Sequence, residues 1–374
     1  MNPRELFCPN MDCPARGQIG KGNIHAHSLK EKRCICEVCG QTFTTTTGTI
    51  FYRLRSDPQL VMWVIVLLAY GCPIQAIVKA FGLDERTVGD WQARAGQHCQ
   101  QVHEHLVENS QHDLQQVQAD EIKVKTQKGT IWMALAIWVP TRLWMGGVIS
   151  AKRDMDLIQA LADKVRKLAL CRPLLLAVDG LASYVSAFRN AFRSKFPRLE
   201  GKTGRCKMVA WPDIAIVQVV KQRMDGVLNI ERRIVQGAEG MVERLIQTTQ
   251  GKGVINTAFI ERLNATFRQR ISSLTRRTRT LAQRSETLAA GMYLVGCFYN
   301  FCDFHHSLRL KLSVGSFGYR WVHRTPAIVA RLTDHLWTPT ELFNFKVPPS
   351  PWKPLKQRGR PSTAILHLAQ QWAN

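Results

Sequence analysis

Three acids are placed where a carboxylate can do chemistry. Asp179 closes the wholly apolar run 174–178, a position with no structural use for an acid unless the sheet edge exposes it. Asp120 falls in the middle of the alternating segment 117–124, and Glu261 stands near the start of a helical segment. In that segment apolar residues recur at 260, 263, 267, 271 and 274, so Glu261 and Arg268 share one flank of the buried stripe. Three acids converging from different elements can hold two Mg²⁺ or Mn²⁺ ions, which activate a nucleophile and stabilise a leaving oxygen. Plainer readings stand beside these. Glu121 competes with Asp120 as ligand and Asp213 weakly with Asp179. Asp179 can cap the helix that follows, and Glu261 can answer a helix dipole near an Asn256 or Thr257 cap.

The second chemistry is thiolate. Cys8-x4-Cys13 and Cys36-x2-Cys39-Gly40 are two short loops separated by a stretch containing Gly17, Gly20 and Gly22, the layout of a Zn²⁺ ribbon. Cys34 is an alternative partner for Cys39, and His25 and His27 are further candidate ligands or exposed hairpin residues. Cys99 with His103, His105 and His112 is a second candidate cluster, set against an ordinary polar interdomain segment. Cys72, Cys171, Cys206, Cys297 and Cys302 are expected as small buried hydrophobes.

The elements that must position these groups follow from periodicity. A helix over 74–81 stops at Gly82, and Asp84 is placed to cap a second helix whose buried face includes Val88 and Trp91. That is a helix-turn-helix pattern, with Arg86, Thr87 and Arg94 as candidate DNA contacts. Strands follow over 117–124, 131–139 and 142–150, then a helix over 154–170. The strand over 174–178, a helix over 181–196 and a buried strand over 214–220 complete the pattern. This order predicts a multidomain α/β protein with a ribonuclease-H-like core. The expected domains are a zinc ribbon over 1–55, a helix-turn-helix over 56–110, the catalytic domain over 112–310 and a basic extension over 311–374.

Taken together the motifs resemble bacterial insertion-sequence transposases of the DDE class, the group with an N-terminal zinc ribbon and helix-turn-helix. The resemblance covers most of the chain. It rests on Cys36-x2-Cys39-Gly-Gln-Thr-Phe, Thr47-Gly48-Thr49-x-Phe51-Tyr52-Arg53, Gln118-x-Asp120-Glu121 and Asp179-Gly180-x3-Tyr184. It continues through Asn256-Thr257-x3-Glu261-Arg262-Leu263-Asn264-x-Thr266-x-Arg268, Leu274-Thr275-Arg276-Arg277-Thr278, Tyr299-Asn300-Phe301, His306-Ser307-Leu308-Arg309 and Thr325-Pro326-Ala327. The resemblance implies that Asp120, Asp179 and Glu261 are the catalytic triad and that Arg268 contacts substrate DNA. It implies cleavage at element ends and joining of the 3′-hydroxyl to target DNA. A DNA-binding regulator without chemistry, and a nuclease that cuts without joining, are the alternatives.

Charge agrees with a polyanionic partner. The 374 residues carry a net charge of +23, which points to nucleic acid or an anionic membrane. Between Arg262 and Arg284 there are seven arginines and no acid, among them Arg268, Arg276, Arg277 and Arg279. This one-sided run reads as a phosphate-binding surface. Lys202, Arg205, Lys207, Lys221, Arg223, Arg232 and Arg233 are expected along a DNA path. After a Pro-rich linker, Arg358-Gly359-Arg360-Pro361 resembles an AT-hook, against the plainer reading of a basic tail. His305 and His306 are candidates to approach the active site, against the plainer reading of surface residues. No basic amphipathic or lipid-anchoring segment supports a membrane partner, and no apolar run reaches the roughly 20 residues of a spanning helix. The expectation is a cytoplasmic, nucleoid-associated bacterial protein acting on double-stranded DNA as a homodimer or larger assembly.

Overall fold

The computed structural model describes residues 2–372 apart from 128, 197–203, 225–226, 252, 276–283, 316–317 and 355–358, and it leaves out the side chains of 223–228. The chain divides into two compact units, Met1–Val61 with Thr340–Asn374, and Met62–Pro339. No described helix is long and apolar enough to cross a membrane.

The first unit starts with a three-stranded antiparallel sheet, β1 (Ile24–Ser28), β2 (Arg33–Cys36) and β3 (Thr42–Thr44), in that order. Strand alternation in β2 turns Cys34 and Cys36 inward, where they join Cys8, Cys13, Ile24 and Phe43 in a small core.

Helix α1 (Pro58–Ala69) leads into the second unit. There α2 (Ile74–Phe81) ends at Gly82, whose φ of 64° suits a residue without Cβ. Asp84 accepts a hydrogen bond from Arg86 N at 2.8 Å and so caps α3 (Glu85–His103). On α3, Val88 and Trp91 are buried, as their spacing predicts.

The sheet that follows is mixed. β4 (Gln116–Thr126), β5 (Gly129–Trp138) and β6 (Leu143–Ser150) run antiparallel, and α4 (Met155–Leu168) is capped by Asp154. β7 (Leu174–Asp179) then pairs parallel to β4, and α5 (Ala182–Ala191) crosses over. A short hairpin, β8 (Arg193–Lys195) with β9 (Met208–Ala210), precedes β10 (Ile214–Met224), which lies parallel to β7, and β11 (Val227–Gln236), antiparallel to β10. The sheet order β11-β10-β7-β4-β5-β6 is compatible with a ribonuclease-H-like core.

Three details depart from the periodicity. The helix expected over 181–196 ends at Ala191, because Phe192 leaves helical geometry to pack edge-on against Trp211. The strand expected over 214–220 runs four residues further. β11, with charged Glu231, Arg232 and Arg233 in its middle, pairs at the sheet edge where both of its faces need not be apolar.

Helices cover the sheet. Leu175, Ala177, Ala215 and Val217 pack against Val242, Leu245 and Ile246 of α6 (Glu239–Gln250). Then come α7 (Ala258–Arg270) and α8 (Ser285–Cys297). α8 approaches α3 so closely that a Cβ on Gly96 would lie 2.4 Å from Ala290 Cα, so glycine is required there. Phe298, Tyr299 and Phe301 are buried beyond α8. The hairpin β12 (Leu310–Ser313) with β13 (Tyr319–Val322) and the short α9 (Pro326–Val329) close this unit.

The chain then returns to the first unit through α10 (Pro339–Asn344). The Pro-rich stretch expected as a linker is extended but held down. Arg16 Nε donates to Ser350 O at 2.7 Å and Arg16 Nη2 to Pro351 O at 3.1 Å. Helix α11 (Thr363–Trp372) places Trp372 against the cysteine-lined core. Residues 311–339 thus belong with the large unit, and only 340 onward joins the N-terminal segment.

Candidate active site and metal centres

A cleft of about 1030 Å³ opens beside the middle of β4 and the end of β7, lined by Asp120, Asp179 and Glu261 with Arg153, Lys221 and Arg268. Each acid is delivered by a different element, and specific hydrogen bonds fix each one. Gln118, fully buried on β4, ties the strand to α7. Its Oε1 accepts from Phe259 N and Ile260 N, both at 3.0 Å, and its Nε2 donates to Asn256 O at 2.8 Å. One side chain thereby satisfies two of the N–H groups at the start of α7, and Asn256 Oδ1 accepts from a third, Ala258 N, at 3.1 Å. Two residues along β4, Asp120 Oδ2 accepts from Asn264 Nδ2 at 2.8 Å, one turn further along α7. Asp179 Oδ1 accepts from Leu181 N at 2.9 Å at the end of β7. That bond holds the turn ahead of α5, whose N-cap is Leu181 with no side-chain cap, so Asp179 lines the cleft without capping the helix.

Carboxylate oxygens of Asp120, Glu121 and Asp179 lie within 4.8 Å of one another, close enough to share a metal ion. Glu121 is otherwise engaged. Its Oε2 accepts from Tyr184 Oη at 2.8 Å, its Oε1 is paired with Arg153, and its side chain is only 2% exposed. Arg153 also lies 3.4 Å from Asp179 Oδ2 and 5.0 Å from the centre of the Trp132 ring. Of the adjacent acids, Asp120 is the one with an open side. Asp213, the weak competitor, does not line the cleft.

Glu261 lies on the α7 wall of the same cleft, outside the close group. Thr257 Oγ1 donates to its Oε1 at 2.6 Å and Lys221 Nζ pairs with the same oxygen.

The electrostatics differ across the site. Burial, and then repulsion from Glu121 and Asp179, pushes the Asp120 carboxyl up to about 7. Burial also opposes ionisation of Glu261, but the hydrogen bonds from Lys221 and Thr257 overcome it and hold that carboxyl below its ordinary value. The Tyr184 hydroxyl is pushed well up by burial and by Glu121, so it remains a donor. A crowded carboxylate that resists ionising is the environment a divalent cation relieves, and all-oxygen donors suit a hard ion such as Mg²⁺.

No protein-family profile matches the chain, and no curated protein matches it. The geometry therefore carries the functional argument.

The cysteines form a second site. Sγ of Cys8 lies 3.7 Å from that of Cys39, and Sγ of Cys13 lies 3.9 Å from that of Cys36, all four sulfurs being within 4.8 Å of one another. Metal–sulfur bonds of about 2.3 Å in a tetrahedron put sulfurs about 3.8 Å apart, so the four thiols fit one metal ion. Backbone N–H groups of Asn10, Ala15 and Gln41 donate to Cys8, Cys13 and Cys39, and Asn23 Nδ2 donates to Cys36 Sγ at 3.4 Å. Cys34 is buried beside the group without joining it, and His25 pairs with Glu37 at 3.0 Å instead.

Other expectations fare unevenly. Among the described residues, Cys99, His103, His105 and His112 form no metal-binding group. Cys297 is buried as expected, but Cys171 is exposed and Cys72, Cys206 and Cys302 are half-buried. His305 is half-buried, packing edge-on to Tyr299 at 4.5 Å, where burial lowers its imidazole to about 4, while His306 is exposed. Arg268 lines the cleft; Arg86 and Arg94 are exposed on α3, with Thr87 half-buried between them. Arg360 is exposed. Arg276, Arg277, Arg279, Arg358 and Lys202 lie outside the described residues, as does the side chain of Arg223. Arg232 donates to Ile255 O at 2.9 Å and Arg233 pairs with Glu231, so neither lines the cleft.

Sequence reasoning missed Arg153, which lies before α4 with no periodic signal. Gln118, Tyr184 and Asn264 stood inside the quoted motifs, but motif spacing alone assigns them no task.

Proposed function

We propose that this protein is a DNA transposase of the DDE class, cutting DNA at element ends and joining the 3′-hydroxyl to a target. The observation that carries the reading is the convergence of Asp120, Asp179 and Glu261 from β4, β7 and α7 on one cleft that also presents Lys221 and Arg268. Asp120, Asp179 and Glu261 would hold Mg²⁺ or Mn²⁺. Bound there, the cations supply Lewis acidity for the attacking oxygen and charge stabilisation for the leaving oxygen.

The chain's own residues do the rest. Gln118 and Asn264 hold β4 and α7 in register, so that Asp120 and Glu261 face one space. Tyr184 and Arg153 occupy both oxygens of Glu121 and leave Asp120 as the acid offered to the cleft. Arg268 and Lys221 give phosphate oxygens a positive wall. In this reading α2 and α3 form a helix-turn-helix that contacts duplex DNA through Arg86, Thr87 and Arg94. The four cysteines hold a structural Zn²⁺, and the protein works as a homodimer or larger assembly on the DNA.

The test uses the full chain, Mg²⁺ or Mn²⁺, and DNA carrying the sequences that flank the gene. The expected products are 3′-end nicks and strand-transfer joints, abolished in Asp120→Asn, Asp179→Asn and Glu261→Gln while duplex binding persists. Wild-type turnover in all three variants overturns the triad. Duplex binding without any metal-dependent nicking would leave a DNA-binding regulator.

A further inference from the structure

Far along the chain from the three acids, the β12–β13 hairpin carries chemistry that cleavage does not use. The register pairs Lys311 with Trp321 and Ser313 with Tyr319. Strand alternation therefore places Arg309, Lys311, Tyr319 and Trp321 on one face. The cations sit on the rings: Arg309 lies 3.9 Å from the Trp321 ring centre and Lys311 3.9 Å from that of Tyr319. The two rings meet edge-on at 5.6 Å. Tyr319 is 56% exposed, so this is not a core cluster. Among the described residues this ribbon has no third strand, and it gains little stability from displaying Tyr319 to water. At its root Phe304, itself exposed, lies tilted against His323 at 4.2 Å and edge-on to His306 at 5.3 Å. From Phe304 to Thr333 the sequence contains five Lys or Arg and no Asp or Glu.

We propose that this face of the hairpin binds unpaired DNA, with the Tyr319 and Trp321 rings stacking on exposed bases and Arg309 and Lys311 meeting the flanking phosphates. Charge complementarity selects a polyanion. The exposed Tyr319 ring, with the half-buried Trp321 ring beside it, selects bases as well as phosphates, because stacking needs a π-face that duplex DNA keeps inside its helix. The cations on the rings keep the aromatic faces oriented and place positive charge one side chain away from each stacking position. This rests on the DNA reading above, and adds to it that the protein holds a separated strand.

The experiment compares three labelled probes by fluorescence anisotropy with the full chain and no added divalent metal. They are an oligodeoxythymidine strand, an abasic strand of the same length, and a duplex. The expected result is tighter binding of the base-bearing strand than of the abasic strand. Tyr319→Leu and Trp321→Leu keep apolar bulk on the hairpin, and each should weaken only the base-bearing strand, by roughly 5- to 150-fold. Trp321→Phe should restore most of the loss. Equal affinity of the wild type for base-bearing and abasic strands overturns the inference while leaving the transposase reading intact. Failure to bind any of the three probes overturns both. If the Leu variants change the sedimentation of the free protein and not strand binding, the face is a self-association surface and the inference is wrong.

Discussion

Asp120 is the residue whose replacement separates a functional site from a structural one. Its carboxyl is raised from 3.8 to about 7 by burial and by its acidic neighbours, so its ionised form strains the folded protein. Below about pH 3.8 the group is protonated in both folded and unfolded chains and has no effect. As pH rises from there, the unfolded chain releases the proton first, and folded stability falls until the folded group also ionises near pH 7. The gap corresponds to about 4 kcal/mol when complete, or about 2 to 4 once solvent access to the cleft is allowed for. Asp120→Asn removes the charge and retains an oxygen to accept from Asn264. In metal-free buffer near pH 8 the variant should therefore be more stable than wild type by that amount, and the advantage should vanish near pH 4. Urea unfolding of both proteins, followed by far-ultraviolet circular dichroism at the two pH values, reads the difference directly. Mg²⁺ should then stabilise the wild type and not the variant, because mass action rewards only the state that binds. A variant that is less stable than wild type at pH 8, or equally less stable at both pH values, would refute the reasoning and make Asp120 an ordinary hydrogen-bonded residue.

Three further outcomes are expected. Cys36→Ser should lose the bound metal measured by elemental analysis, whereas Cys34→Ser should retain one zinc per chain, since only Cys36 lies in the four-sulfur group. Gln118→Ala should cost about 2 kcal/mol in chemical unfolding, because two buried N–H groups of α7 lose their acceptor, and it should slow metal-dependent nicking by misplacing Glu261. His103 is fully buried, and desolvation lowers its imidazole from 6.5 to about 4, against the opposing pull of Glu108 at 3.9 Å. Its contribution is present above pH 6.5 and is lost as pH falls toward 4, by about 3 kcal/mol in all; His103→Gln should flatten that part of the acid-unfolding curve.

Much of the core was legible because its elements announce themselves locally. The run 174–178 is apolar on both faces and can hardly be anything but a central strand, and Asp179 is conspicuous for ending it. Gly82 and Asp84 mark the α2–α3 turn by backbone and capping chemistry alone. What stayed hidden depends on residues far apart in the chain. Glu121 and Asp120 look like competitors for one role, and only Tyr184 and Arg153, 63 and 32 positions on, show that Glu121 is already engaged. β11 was unread because an edge strand tolerates charges on both faces, although the Asp225-Gly226 dipeptide before it is a hairpin signal in the sequence itself. Cys34 and Cys36 cannot be separated by spacing, since both point inward from one strand; the fold of the following loop decides between them.

The unit that gathers the four sulfurs is built from both ends of the described chain, with Trp372 packed onto a core whose other members lie before residue 44. This sets an order of assembly during synthesis. The cysteine loops leave the ribosome first, yet the surface they need for Trp372 arrives hundreds of residues later. The intervening unit, Met62–Pro339, makes its own contacts and can fold while the tail is still being translated. A chain lacking α11 would leave the part of the cysteine core beneath Trp372 uncovered.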